Sequence, residues 1–236
     1  MPLKIDTDTI NRIINELKNL ETEYQTHKAL ILTESDLKCH LFSRIHALFP
    51  DGTKTIDSHI TGTALHSEVK FFDEHDELTL VPDLTVISPE NISIYHSVEF
   101  GITSKGIKYK GFSRKNFEIG GDAIIIELKF CREQIGITTA DLQTYKADLD
   151  KIRRLQDIVW NRSAGHDKLI GIFAVFNKGN KGKELFNDFM QTYNPTWESE
   201  NNFEIRSFYG SGLVDFTDPN RYITTEGFVT KRKASQ

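Results

Sequence analysis

Two cysteines in 236 residues are too few for a disulfide framework, and neither sits at zinc-ligand spacing. Cys39 falls in an expected helix and Cys131 at an expected strand end, so both read as free thiols of a reducing compartment. No apolar stretch approaches the roughly 18 residues of a transmembrane candidate, and Met1-Pro2-Leu3-Lys4-Ile5-Asp6 lacks the apolar region of a signal peptide. These absences predict a cytoplasmic chain without a membrane partner. Internal repeats and low-complexity segments are missing as well. So is an excess of positive charge: the formal net charge of -5 argues against a general polyanion binder, because counterion release requires many basic contacts. Any nucleic-acid surface must therefore be local. With 38% hydrophobic and 27% charged residues, the chain can build one sizeable core, and a single domain over residues 1–236 is expected.

What the sequence does contain is a strand-like run, Ala123-Ile124-Ile125-Ile126-Glu127-Leu128-Lys129-Phe130, that carries two charges. Alternation along a strand points Glu127 and Lys129 the same way, while Ile126, Leu128 and Phe130 supply hydrophobic contact. Charges in such a run are rarely buried unless paired, hydrogen-bonded or holding a metal. Upstream, Leu78-Thr79-Leu80-Val81-Pro82-Asp83-Leu84-Thr85-Val86-Ile87 is a second strand-like run, interrupted by a proline that signals an edge or a bulge. A bulge re-aims side chains, which makes Asp83 a candidate for the cleft of Glu127 and Lys129.

Pro82-Asp83 followed by Glu127-Leu128-Lys129 resembles the PD-(D/E)xK phosphodiesterase superfamily, the restriction-endonuclease-like nucleases. The resemblance implies an α/β fold: a mixed central sheet flanked by helices, here with an extra N-terminal helix and an inserted hairpin. Its core would span about 31–177, with an insertion at about 89–121 and a mobile tail at about 230–236. A further acid from a helix before the strands is also implied, and Glu34 fits. Thr33-Glu34-Ser35-Asp36 reads as a capping box, with Glu34 on the stripe of Leu37, Leu41 and Ile45 and Asp36 facing solvent.

The implied chemistry is phosphodiester hydrolysis with Mg²⁺ or Mn²⁺. Asp83 and Glu127 would hold the ion, with the Leu128 carbonyl as an added ligand; Glu34 would bind or orient a second ion or its water shell. Lys129 would orient the attacking water or stabilise the transition state. DNA is the expected substrate, RNA the alternative polymer, and a homodimer is compatible with the reading. Two departures stand out. The separation between Asp83 and Glu127 is long for the superfamily, and Gln143-Thr144-Tyr145 does not have the Gln-x-x-x-Tyr spacing of its RecB-like exonuclease branch.

The local basic surface is residues 105–116, where Lys105, Lys108, Lys110, Arg114 and Lys115 would meet phosphates and Tyr109 or Phe112 would stack on a base. Lying between Asp83 and Glu127, the stretch is expected near the cleft mouth, the alternative being a solvated hairpin tip. Glu68 and His66 are reserve acids and bases on the first strand. Gln143 and Lys146 on the long helix are reserve phosphate ligands, whereas Lys151 reads as part of a solvated helix face. Blander roles are open for the main candidates: a rim ion pair for Glu127 and Lys129, a turn for Asp83, a helix-dipole partner for Glu34. A non-catalytic nucleic-acid-binding or regulatory module that retains the fold is the competing function, and a hydrolase of other phosphoesters is a third.

Hydrophobic periodicity predicts helices over about 8–24, from Thr33 to the Pro50-Asp51-Gly52 stop, from Thr138 or Thr139 to Trp160, and over about 184–193. Strands are expected at about 65–72, 78–87, 92–100, 123–130, 169–176 and 203–209, with Asp73-Glu74-His75-Asp76 as a turn and Asp122, beside the Glu127 strand, as a turn residue.

Overall fold

The computed structural model describes residues 3–49, 51–56, 59–75, 77–104, 106–193 and 204–214, with side chains described outside 93–103 and 106–119. The helices are α1 (Thr7–Thr26), α2 (Glu34–His46), α3 (Thr139–Arg162) and α4 (Lys183–Tyr193). The strands are β1 (Thr53–Lys54), β2 (Thr61–Gly62), β3 (Leu65–Ser67), β4 (Phe71–Phe72), β5 (Leu78–Leu80), β6 (Leu84–Ile87), β7 (Ile92–Thr103), β8 (Gly106–Ile119), β9 (Ala123–Cys131), β10 (Leu169–Asn177) and β11 (Ile205–Ser211).

β9 and β10 carry almost uninterrupted apolar runs, the pattern of strands covered on both faces, and they occupy the interior of a five-stranded sheet ordered β11-β10-β9-β6-β3. β11, β10 and β9 run parallel, while β6 is antiparallel to both of its neighbours, so the sheet is mixed. Strand alternation divides the core in two. Ile124, Ile126, Leu128, Ile172, Ala174 and Phe176 pack with α1 and α2. Ile125, Phe173 and Val175 pack with Tyr145, Leu149 and Ile152 of α3 and Phe186 and Met190 of α4. The molecule is thus a mixed α/β structure whose central sheet is flanked by helices.

The helix starts follow from local chemistry. Thr33 and Asp36 form a reciprocal capping box at α2, and Thr138 with Asp141 does the same at α3; such a cap contributes about 1 kcal/mol. Asp36 is therefore occupied as a cap and only half-buried, rather than simply solvated. On α1, Ile10, Ile13, Leu17, Leu20 and Tyr24 are buried, whereas Ile14 lies at the margin of the stripe.

The strand expected at about 65–72 is divided: β3 ends at Ser67, and Glu68 takes a left-handed backbone with φ of 55° before β4 begins. The run at 78–87 divides as well. β5 pairs with β4 in a small sheet of its own, and β6 alone joins the central sheet. Pro82 accordingly marks the passage between two sheets, not an edge or bulge within one strand. Without an amide hydrogen it cannot continue a ladder, so the chain leaves one.

The insertion is a long two-stranded hairpin, β7 with β8, extending well beyond the expected 92–100. It is rooted where β6 ends and β9 begins, with the Gly120 amide donating to the Asn91 carbonyl. Pro50, Asp76, Lys105 and the tail at 230–236 lie outside the described residues.

α3 comes very close to the sheet at Gly171 of β10, where a Cβ would stand 2.5 Å from Ile152 Cγ2 and 3.3 Å from Ile205 Cγ1. Gly171→Ala is expected to lower unfolding stability by about 1–3 kcal/mol, the usual cost of overpacking. Urea denaturation checks this; an unchanged midpoint would mean that α3 backs away freely.

Candidate functional site

The site lies where the sheet comes apart. β6 pairs with β9 only as far as Ile126, and among the described residues no strand continues that edge beyond it. The amides of Leu128 and Phe130 on β9 are left to other acceptors, and buried amides must find them. The Leu128 N–H donates to Asp83 Oδ2 at 2.9 Å, and the Phe130 N–H donates to Glu34 Oε2 at 3.3 Å. Two candidate acids from distant elements are thereby fixed along one strand.

Glu127 and Lys129 occupy the α3 side of β9. Glu127 is 1% exposed, and Lys151 Nζ of α3 stands 2.7 Å from its Oε1. That contact is an ion pair without the angles of a directed hydrogen bond, so Oε1 is buried with no hydrogen-bond donor. Burial pushes the Glu127 carboxyl up to about 7; Lys151 opposes the rise, and the Asp83 and Asp148 carboxylates add to it. Lys129 Nζ lies 3.1 Å from Asp148 Oδ2 and 3.9 Å from Glu34 Oε1. Burial works against the lysine charge, but Asp148 and Glu34 outweigh it and hold the pKa above the ordinary lysine value.

Three residues outside the original candidate set complete the cluster. Asp148 and Lys151 sit three apart on α3, with Asp148 Oδ1 3.4 Å from Lys151 Nζ, which also donates to the Val81 carbonyl at 3.1 Å. Lys38 of α2 lies 2.5 Å from Glu68 Oε1 and 3.6 Å from Asp83 Oδ1. Its pKa is raised, chiefly by the bond to Glu68 and then, against burial, by Asp83. The sequence reading of Lys151 as a solvated helix position is corrected: its ammonium turns inward because the buried Glu127 charge attracts it. The sequence carries no signal for Asp148 or Lys151, because which α3 positions face Glu127 is set by the packing of the helix on the sheet.

Glu34, Asp83, Glu127 and Lys129 are therefore brought together as expected, although Glu34 is half-exposed. Leu128 is buried among the α1 and α2 residues, and its amide meets the site through Asp83. Glu68 joins at the rim through Lys38. His66 is held apart on β3, its Nε2 3.0 Å from the Thr63 carbonyl oxygen, and burial lowers its pKa. Gln143 and Lys146 are exposed, and Lys146 pairs with Asp150 at 2.7 Å, away from the acids. Asp122, expected as a turn residue, accepts from the Lys168 amide and so ties the start of β9 to the start of β10.

Of the basic stretch, Lys105 lies outside the described residues. Lys108, Tyr109, Lys110, Arg114 and Lys115 belong to β8, where Lys108 is opposite Gly101, Tyr109 opposite Phe100 and Lys115 opposite His96. They run along the strand and are not confined to a hairpin tip. The hairpin root is at the Ala123 end of β9, four residues or roughly 13 Å from Glu127, so the root does not bring the stretch to the acids.

Carboxylate oxygens are the chemistry a hard divalent ion requires, and Glu127 offers one that lacks a hydrogen-bond donor. Asp83 is near enough to Glu127 for its carboxylate to help raise the Glu127 pKa. The oxygens face ammonium groups, however, and among the described residues no group of three or more His, Cys, Asp or Glu side chains is gathered tightly enough to hold a metal. Ion binding at Asp83 and Glu127 thus requires the lysines to give way. No helix among the described residues is long and apolar enough to cross a membrane. No family model matches the chain, and neither does any curated protein or solved structure.

Glu127 gives the site a pH signature. Its ordinary value is 4.5 and its folded value about 7, so between those limits the folded state keeps a proton that the unfolded chain has released. Glu127 therefore makes the protein less stable as pH rises through that window, by an amount on the order of 3 kcal/mol. Glu127→Gln is expected to remove this decline. Denaturant titrations of both proteins between pH 4.5 and 7 check it; parallel stability curves would assign the titration elsewhere.

Proposed function

We propose that the chain is a Mg²⁺- or Mn²⁺-dependent phosphodiesterase, a nuclease of the PD-(D/E)xK type acting on DNA, built on a restriction-endonuclease-like sheet. The observation that carries the proposal is the burial of Glu127 on the central strand, beside Asp83, with Lys129 two residues further along the same face. A sheet has no structural need for that carboxyl, whose desolvation is costly.

In this reading Asp83 and Glu127 hold the divalent ion, with the Leu128 main chain beside them. When bound, the ion supplies Lewis acidity toward the phosphate and the attacking water. Lys129, held in place by Asp148 and Glu34, positions that water and stabilises negative charge as it develops on the phosphate. Glu34 is fixed by the Phe130 amide and orients a second ion or the surrounding water through Oε1, the oxygen that faces Lys129. The β8 residues Lys108, Tyr109, Lys110, Arg114 and Lys115, with Lys105, are the proposed nucleic-acid contacts. The same reading takes residues 1–236 as one domain working in the cytoplasm, on DNA ahead of RNA, alone or as a homodimer.

A second reading, a nucleic-acid-binding or regulatory module without chemistry, is favoured by one specific observation. Asp83 and Glu34 both have hydrogen-bonding tasks in the sheet, and the described acids do not gather into a metal cage.

The two readings separate on isosteric variants. Asp83→Asn keeps an acceptor for the Leu128 amide, and Glu127→Gln keeps the buried shape. Each is expected to reduce Mg²⁺- or Mn²⁺-dependent cleavage of DNA by at least about 100-fold while leaving the circular dichroism spectrum unchanged. Assays on duplex DNA, single-stranded DNA and RNA check this. A wild-type protein that binds these polymers without cutting any of them would favour the second reading.

A further inference from the structure

Each inner acid of the site is matched with a lysine, and each of those lysines has a second acid within reach. Lys151 Nζ lies 2.7 Å from Glu127 and 3.4 Å from Asp148. Lys38 Nζ lies 3.6 Å from Asp83 and 2.5 Å from Glu68. Glu127 lies in β9 and Asp83 immediately before β6, whereas Asp148 is on α3 and Glu68 follows β3 with a largely exposed side chain. Both lysines keep roughly a fifth of their side-chain surface exposed, so their ammonium groups can move without unpacking the core.

We propose that Lys151 and Lys38 are built-in stand-ins for a divalent cation at Glu127 and Asp83, and that when the ion enters Lys151 withdraws to Asp148 while Lys38 gives up its longer contact to Asp83 and stays with Glu68, which already holds it at 2.5 Å. The inference rests on the nuclease reading for the identity of the ion-binding acids, and adds four residues that govern whether the ion binds.

The electrostatics favour such an exchange. Glu34, Glu68, Asp83, Glu127 and Asp148 contribute five carboxyl groups, against the three ammonium groups of Lys38, Lys129 and Lys151. With all of them ionised the cluster lacks two positive charges, the charge of the proposed ion. Glu127 Oε1 is the position with most to gain, since its lysine contact leaves it without a directed donor. An ammonium on a four-carbon stem is a mobile point charge, whereas an arginine fork would have fixed the oxygen in a bidentate pair. The lysines protect the acids from mutual repulsion in the ion-free protein, and the ion must compete with them.

The test is a Mn²⁺ titration of the full chain without nucleic acid, followed by electron paramagnetic resonance of the free ion. Lys151→Met is expected to tighten Mn²⁺ binding about tenfold, an ordinary size for coupled binding. Lys38→Met should tighten it less, because its contact to Asp83 is longer. Lys146→Met, on a surface pair with Asp150, should leave it unchanged. Unaltered or weakened affinity in both Lys151→Met and Lys38→Met overturns the proposal.

A measurement on the wild-type protein removes dependence on the folding of variants. Addition of Mg²⁺ should shift the ¹⁵Nζ resonance of Lys151 as it exchanges Glu127 for Asp148, and a stationary resonance at saturating Mg²⁺ overturns the exchange. If Mn²⁺ binds and Glu127→Gln abolishes binding, yet neither lysine variant tightens it, this inference fails and the nuclease site stands. If Mn²⁺ binding to wild type is absent or is indifferent to Glu127→Gln, the nuclease reading falls and takes this inference with it.

Discussion

A carboxyl group set into the middle strand of a covered sheet must find compensation nearby, and the surroundings of Glu127 are organised around that demand. Taking the charge out of water costs several kcal/mol on the order expected for a buried ion. Lys151 approaches from α3 to offset part of it, Asp148 follows three residues earlier on the same helix, and Lys129 is drawn to Asp148 in turn. α3 is therefore more than a cover for Ile125, Phe173 and Val175. Its apolar residues set the distance to the sheet, and its charged residues meet the one strand position that apolar contact cannot satisfy.

A second constraint comes from the backbone. Pro82 ends the pairing of β6 with β9, and the strand beyond Ile126 is left with unpaired amides along one edge. Asp83 and Glu34 supply side-chain acceptors in place of the missing strand. The same hydrogen bonds that repair the sheet also orient the acids: one oxygen of each is committed to an amide, and the other faces a lysine. Architecture and candidate chemistry share these two residues, so substitutions that keep the acceptor and remove the charge separate the two roles.

Much of this was legible in the sequence where a residue violates its local pattern. Glu127 and Lys129 interrupt an apolar strand, and Asp83 follows a proline that no interior ladder accommodates. Glu34 is what the superfamily resemblance implies, and its helical spacing from Leu37, Leu41 and Ile45, all three of which are buried, puts it on the sheet-facing stripe. Lys38, Asp148 and Lys151 were not legible in that way, because a charge on an amphipathic helix conforms to its pattern whether it faces solvent or reaches over the margin of the stripe. Their orientation depends on a partner distant in the chain. The division of the 65–72 run is hidden for a related reason: Val69 and Phe71 continue the alternate positions of a strand, and the chain bends at Glu68, whose left-handed backbone no glycine announces. Register decided the rest, since only the pairing of β6 with β9 reveals that the hairpin is rooted at the strand end away from Glu127.

The ion cluster also bears on why the two functional readings are not equivalent physically. A sheet stabilised for its own sake does as well or better with apolar residues in place of a buried ion pair, since matched hydrophobic replacements are often neutral or stabilising. Retaining Glu127, Lys151, Asp148 and Lys129 together is thus a local departure from what stability alone favours, and such departures gather at sites that act on something. For Asp83 and Glu34 the argument is weaker, because their hydrogen bonds to Leu128 and Phe130 would be lost with an apolar side chain. The asymmetry makes Glu127 the residue on which the catalytic proposal turns: its neighbours can be accounted for by the sheet or by Glu127 itself, whereas the sheet offers no account of Glu127.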